Sequence, residues 1–337
     1  MRRSIQMVAL STIAALFALT ACAPSDNSAS EEKLTQVRVS EVIRSIFYAP
    51  QYVAIEQGYF KSEGLDIQLD TAWGGDKAMT RLLADQADIA LIGAETTVYV
   101  GQQGASDKVV NFAQVTQRDG SFLVARNKID NWDWSMLKGK SLVGSRKGSM
   151  PEMVSEYVLK QNGVTPFSDV NIIQNITFDN QATAFASGTG DFLQAFEPSG
   201  AILEQAGQGY VVASFGQDSG KLPYTVFMAK ASTIKSEPTT IQKFTNAVQK
   251  AQNFIHSSTP EEVAKVIQPY FEGVESKVLT AVIKRYQDGD AWAKDAVIDQ
   301  EEFSNMLAIM KEAGELNADV SYQDLVNTEF AEKAKRQ

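Results

Sequence analysis

Apolar and polar residues alternate at the start of Val37-Arg38-Val39-Ser40-Glu41-Val42-Ile43, and this predicts a first, half-buried strand. The pattern then changes to helical spacing from Pro50 to Gln57, with proline near the helix start and Gly58 as its stop. Leu65, Ile67 and Leu69 alternate again and predict a second strand after the Glu63-Gly64 turn. Met79, Leu82 and Leu83 mark a helix over 76–85, Ile89 to Ile92 reads as a buried strand, and a third helix is expected over 95–103. The same grammar returns further on. Strands are expected at 141–144, 170–173 and 192–196, each followed by a helix, over 151–161, 180–187 and 198–205. Strands alternating with helices predict an α/β fold of mainly parallel sheets flanked by helices.

Two stretches match each other. Leu82 to Asp88 and Phe185 to Asp191 both read as a helix end, a small turn, an aspartate and then a buried strand. Each of those strands runs into an acid near the next helix start, Glu95 in one case and Glu197 in the other. Two lobes of similar topology follow from this internal match. Lobe 1 is expected over 36–127, lobe 2 over 128–216, and a return to lobe 1 with C-terminal helices over 217–337. The two interlobe crossings are expected near 127–139 and 213–223. Thr259-Pro260-Glu261-Glu262 and Asp299-Gln300-Glu301-Glu302 read as helix starts in the returning segment. Between such lobes lies a cleft faced by the carboxyl ends of the strands, where small ligands bind by default.

The beginning of the chain follows a different rule. Arg2 and Arg3 precede an apolar run from Met7 to Leu19 that only Ser11 and Thr12 interrupt. A basic start and a short apolar segment make a secretory signal, expected over 1–21, and the run is too short to span a membrane. It ends on Leu19-Thr20-Ala21-Cys22, which resembles the lipobox of bacterial lipoproteins. That resemblance implies lipidation of Cys22 and an exported protein anchored on the extracytoplasmic face of a membrane. Residues 22–35 read as a polar, disordered tether, of which the 13 residues from Ala23 to Thr35 reach on the order of 40 Å when extended. Cys22 is the single cysteine, so no disulfide supports the fold. The formal charge is −10, and removal of residues 1–21, with two arginines and no acid, leaves −12. An acidic body argues against a nucleic-acid partner. No later segment is long and apolar enough to cross a membrane.

The predicted helix starts carry the candidate binding chemistry. Phe47 and Tyr48 come just before the first helix, and Trp73-Gly74-Gly75-Asp76 stands before the second. Glycines there allow a ligand to approach backbone N–H groups, and the aromatics can stack on a flat ring. Turn geometry alone also explains Gly74 and Gly75, and core packing also explains the rings. In the second lobe, Arg146, Lys147, Gly148 and Ser149 precede a helix, with Ser149 and Glu152 at capping-box spacing. Arg146 and Lys147 are candidates for an anion or simply a solvated basic pair. The order is not that of a P-loop, since Lys147 precedes the glycine. Glu95 and Glu197 either serve their helix dipoles or accept hydrogen bonds from an amino-substituted heterocycle. Arg118 is expected at the cleft mouth. His256 is the only histidine and lies at the end of a long helix, so neither a Ser-His-Asp arrangement nor a histidine metal site is expected. Asp288-Gly289-Asp290 is too short for a calcium loop.

The block Ala49-Pro50-Gln51-Tyr52-Val53-Ala54-Ile55-Glu56-Gln57-Gly58-Tyr59-Phe60-Lys61-Ser62-Glu63-Gly64-Leu65-Asp66-Ile67 resembles the opening of ABC-transporter solute-binding proteins. The branch is the one with sulfonate, taurine, nitrate and thiamine-pyrimidine binders, related to yeast pyrimidine synthase. Gln86-Ala87-Asp88-Ile89-Ala90, Leu137-Lys138-Gly139-Lys140 and the stretch from Lys230 to Phe244 carry the resemblance onward in the same order, over roughly residues 37 to 330. It implies a type II periplasmic-binding-protein clamshell that closes on a small molecule and delivers it to a membrane permease. No cofactor is expected, and no enzyme: the related synthases use histidine and lysine chemistry with pyridoxal phosphate. A monomer is expected. The favoured solute is a nitrogen heterocycle of the thiamine-pyrimidine kind, and the rival is a sulfonate or other small anion. A tethered protein signalling through a receptor is the alternative function.

Overall fold

A computed structural model describes residues 34–336. The expected signal peptide, Cys22 and all but the last two tether residues lie outside the described residues. Strands β1 (Thr35–Glu41), β2 (Leu65–Thr71), β3 (Ile89–Gly93) and β4 (Val109–Thr116) come first along the chain. Next come β5 (Ser121–Ala125), β6 (Ser141–Val143), β7 (Asn171–Ile173), β8 (Phe192–Phe196) and β9 (Tyr210–Ser214), and β10 (Thr225–Lys230) is last. They build two five-stranded sheets, in the orders β2-β1-β3-β10-β4 and β7-β6-β8-β5-β9. Helices flank both, so the protein is a two-lobed α/β fold.

The expectation of mainly parallel sheets needs one amendment, because both sheets are mixed. β1 pairs in parallel with β2 and β3, while β10 runs antiparallel between β3 and β4. In the second sheet β6 is parallel to β7 and β8, while β5 runs antiparallel between β8 and β9. The reason is topological. Each crossing leaves one sheet at the carboxyl end of a strand and enters the other at its cleft edge, so the entering strand must run back.

The internal match has a physical counterpart. Asp88 accepts the backbone N–H of Arg38 at 2.8 Å, and Asp191 accepts that of Ser141 at 2.8 Å, across 50 residues in both lobes. The aspartate before the buried strand thus locks that strand to a parallel neighbour in its own sheet, β3 to β1 and β8 to β6.

The first boundary lies earlier than 127. β5 belongs to the second sheet, so the chain crosses at 117–120 and not at 127–139. The pattern hid this because β4 went unrecognised: Asn111 and Gln114 are buried polar residues that break its apolar run. The second crossing occupies 215–224, and its short helix Phe215–Asp218 packs on β5. The crossings touch where Gly216 passes Asp119; a Cβ at Gly216 would stand 3.0 Å from the Asp119 carbonyl carbon.

Buried aromatics fill the junction between the lobes. Phe47, Tyr286 and Trp292 are fully buried there, each worth about 2–3 kcal/mol of apolar burial. The Trp292 indole N–H donates to the Phe47 carbonyl at 2.9 Å, and the Tyr286 hydroxyl donates to the Gly120 carbonyl at 3.0 Å. Beyond it, the helix Pro260–Ile267 carries a complete capping box between Thr259 and Glu262, and Asp299 caps Gln300–Glu312.

Candidate functional site

A cavity of about 570 Å³ opens between the lobes at the strand ends. Nine of the expected site residues line it: Phe47, Tyr48, Trp73, Gly74, Gly75, Glu95, Arg146, Ser149 and Glu197. Three do not. Arg118 sits in the first crossing, where it donates to the Gly216 carbonyl at 3.2 Å and ties the crossings together. Lys147 and Gly148 stand behind Arg146, and the Gly148 carbonyl accepts the Tyr99 hydroxyl of the first lobe at 3.0 Å.

The aromatic wall is built from both lobes. Ser45 caps the turn Ile46–Tyr48 by accepting the Phe47 N–H at 3.2 Å, which sets Phe47 inward and Tyr48 along the cavity. Phe47 meets Tyr224 at 5.7 Å and Phe196 at 6.0 Å between ring centroids, and Phe196 meets Phe178 at 5.3 Å. Trp73 behaves differently. It is 61% exposed on a left-handed backbone (φ 59°), an uncommon conformation for a bulky residue. The Gly74 N–H donates to the Val42 carbonyl at 3.1 Å and pins that strained turn to the cleft rim.

The charged groups sort themselves by partner. Arg44 pairs with Glu41 at 2.8 Å, and Arg146 pairs across the mouth with Asp76 at 3.4 Å. Both members of the second pair are exposed, so that bridge is weak. Glu197 is buried, and Arg285 binds one of its oxygens while the Ala201 N–H donates to the other at 2.8 Å. Arg285 also donates to Glu204 at 2.6 Å. Burial pushes the Glu197 carboxyl up, and the Arg285 charge opposes that. Both its oxygens thus have partners within the protein, a use that the sequence pattern did not reveal. Arg285 lies on Ser276–Asp288, which packs on Pro260–Ile267 and through it on the first lobe. The Arg285 cluster therefore spans the junction.

Glu95 is the opposite case. It is 6% exposed and opens the helix Glu95–Gln102, and its Oε2 has no hydrogen-bond partner. Burial pushes its carboxyl up to about 7, opposed by its own backbone N–H and that of Met150 in the second lobe. The carboxylate folds back over Gly93, where a Cβ would lie 2.7 Å from its Cδ, so a side chain at this position would displace the carboxylate.

The expected capping box at Ser149 does not form. The Ser149 hydroxyl donates back to the Arg146 carbonyl at 2.6 Å, and Glu152 accepts the Gly148 N–H at 3.1 Å instead. Gly148 adopts φ 78°, a left-handed conformation open to glycine, and the chain that follows brings Glu152 back to its N–H. Sequence reasoning also missed Phe178, Phe196, Tyr224, Gln194 and Lys77, which line the cavity. Phe196 was findable, since it ends a predicted strand and strand ends face the cleft. Among the described residues no group of three or more His, Cys, Asp or Glu is placed to hold a metal ion.

Two lobes of matching topology, joined by two crossings around a cavity lined from both, define the binding-protein clamshell. The chain belongs to the NMT1/THI5-like family, whose model matches residues 46–263. It is 48% identical over 318 residues to the "Putative binding protein YtlA" of Bacillus subtilis (strain 168), covering 94% of this chain and 93% of that one. Solved structures share the fold. A Bordetella bronchiseptica RB50 protein matches at TM-score 0.73 and 23% identity, covering 90% of this chain and 98% of its own. The ligand-binding component of an ABC-type import system from Staphylococcus aureus, with zinc bound, matches at TM-score 0.72 and 14% identity, over 90% and 100% of the two chains. The alkanesulfonate-binding protein SsuA from Xanthomonas axonopodis pv. citri, bound to MOPS, matches at TM-score 0.69 and 16% identity, over 88% and 99%.

Proposed function

We propose that this chain is the extracytoplasmic solute-binding component of an ABC importer, exported by residues 1–21 and tethered to the membrane by lipid on Cys22. Its partners are then one small solute and a permease, and it acts as a monomer by binding, without a cofactor or a catalytic step. The observation that carries this reading is the interlobe cavity of about 570 Å³, large enough for one small molecule, in a family with a binding-protein relative. Its lining holds neither histidine nor cysteine, which favours capture over catalysis.

For the solute, a nitrogen heterocycle of the aminopyrimidine kind fits best. Glu95 lines the cavity with a carboxyl whose Oε2 has no partner within the protein, and Tyr48, Trp73, Phe178, Phe196 and Tyr224 offer ring faces and edges. A sulfonate or other small anion would have to meet Lys77 and the weakly paired Arg146 at the rim, since Arg44 already faces Glu41. Isothermal titration with 4-amino-2-methylpyrimidine and with methanesulfonate separates the two. Binding of the pyrimidine alone is expected; binding of methanesulfonate alone would move the assignment to anions. Deleting the permease genes should abolish uptake while leaving capture intact, and a receptor-signalling role would leave uptake unchanged.

A further inference from the structure

Glu95 is held at the meeting of the lobes in a way that concerns protons as well as hydrogen bonds. The carboxylate lies between the first residue of its own helix and Met150, which opens the helix Met150–Gln161 in the second lobe. Among the described residues no lysine or arginine pairs with it. The titratable groups that feel its charge are the phenols of Tyr48, Tyr99 and Tyr224; Glu41 also acts on Tyr48, Glu315 and Glu152 on Tyr99, and Asp119 on Tyr224. Gly93 gives the carboxyl its slot: Oε2 lies buried over this glycine without a partner, and both residues line the cavity.

A carboxylate buried without a cation is unfavourable, and a neutral donor returns only one hydrogen bond for it. A basic ring nitrogen does more. With a proton between carboxyl and nitrogen, the pair carries no net charge in the dry slot, and the bond is charge-assisted. Resting on the heterocycle reading above, we propose that Glu95 and a basic nitrogen of the solute share a single proton, so that the cleft selects weakly basic heterocycles. The proton balance is simple. A neutral base meets protonated Glu95, or a protonated base meets ionised Glu95, and both routes give the same complex with one proton in total. No other proton or co-reactant enters. Since Glu95 lies near 7 when the cleft is empty, both routes are open at neutral pH.

The test is isothermal titration of 4-amino-2-methylpyrimidine into the full chain in detergent, from about pH 5 to about pH 9. A ring-N-methylated pyrimidinium, which cannot share a proton, serves as the second probe. The expected profile is bell-shaped, falling about tenfold per pH unit outside the pKa values of Glu95 and the probe. Glu95→Gln should weaken binding at the maximum by at least about tenfold and leave only the limb due to the probe. Glu95→Asp, checked for folding by circular dichroism, should keep both limbs at lower affinity. The N-methylated probe should bind at least about tenfold more weakly than the pyrimidine at the maximum. A flat profile, or an equal loss in Glu95→Gln at every pH, overturns proton sharing and leaves the heterocycle reading standing. No binding of the pyrimidine at any pH overturns both.

Discussion

Glu95 and Glu197 stand at matching places in the two lobes, yet they have different uses. Both follow a buried strand and both are themselves buried. Glu197 is engaged by Arg285, 88 residues further along, while Glu95 keeps an oxygen without a partner. Nothing local in the sequence distinguishes them, because the deciding cation arrives through tertiary packing. Their stability signatures should differ. A carboxyl raised by burial contributes stability that is complete below its unfolded value and lost as pH rises through its folded value. Glu95, raised to about 7, should therefore make the empty protein less stable at pH 8 than at pH 5. Glu95→Gln is expected to recover on the order of 2 kcal/mol at pH 8 in a urea titration. A variant no more stable than the parent there would contradict the placement of Glu95. Arg285→Ala should act in the opposite sense. It leaves Glu197 buried without its partner and should cost about 2–4 kcal/mol in the same titration, more at pH 8 than at pH 5.

At the scale of elements, most strands and helices were legible because each carries its own period and its own stop. The strand Phe192–Phe196 matches the pattern residue for residue. What the pattern did not carry was membership. β5 reads as a continuation of the first lobe, but hydrogen bonds place it between β8 and β9, a pairing across long sequence separations. The polar residues inside β4 are held by neighbouring helices: Asn111 donates to Thr97 at 3.0 Å, Gln114 donates to Glu302 at 3.2 Å, and the Gln114 backbone carbonyl accepts from the Gln252 side chain at 2.7 Å. The crossings depend on close backbone approach, so Gly216→Ala should be costly although only one methyl is added. The methyl would meet the Asp119 backbone, which cannot give way as a side chain does. A loss of about 1–3 kcal/mol is expected by thermal or chemical unfolding. Unchanged stability would mean that the crossings do not touch there.

Across the whole molecule, the contacts that join the lobes are of two kinds. Those at the crossings are buried and aromatic, whereas those at the mouth, such as Arg146 with Asp76, are exposed and weak. That contrast suits a body that pivots at one side and opens at the other. The sequence conveyed the two-lobe plan and nine of the cavity residues. It could not convey which charges are already paired, and that is what separates an anion site from a heterocycle site. Trp73 is the side chain expected to report on closure. It is strongly exposed at the rim, while Trp292 is buried. Solute binding should shift and quench tryptophan emission, and Trp73→Phe should remove most of that change. Retention of the full signal in Trp73→Phe would place the ring outside the closing cleft.

Mass spectrometry of the protein purified under non-denaturing conditions tests the central claim most directly. The expected result is a one-to-one complex with a small, weakly basic nitrogen heterocycle, which the parent protein retains and Glu95→Gln releases. A sulfonate or other anion in its place, retained equally by both proteins, would contradict it.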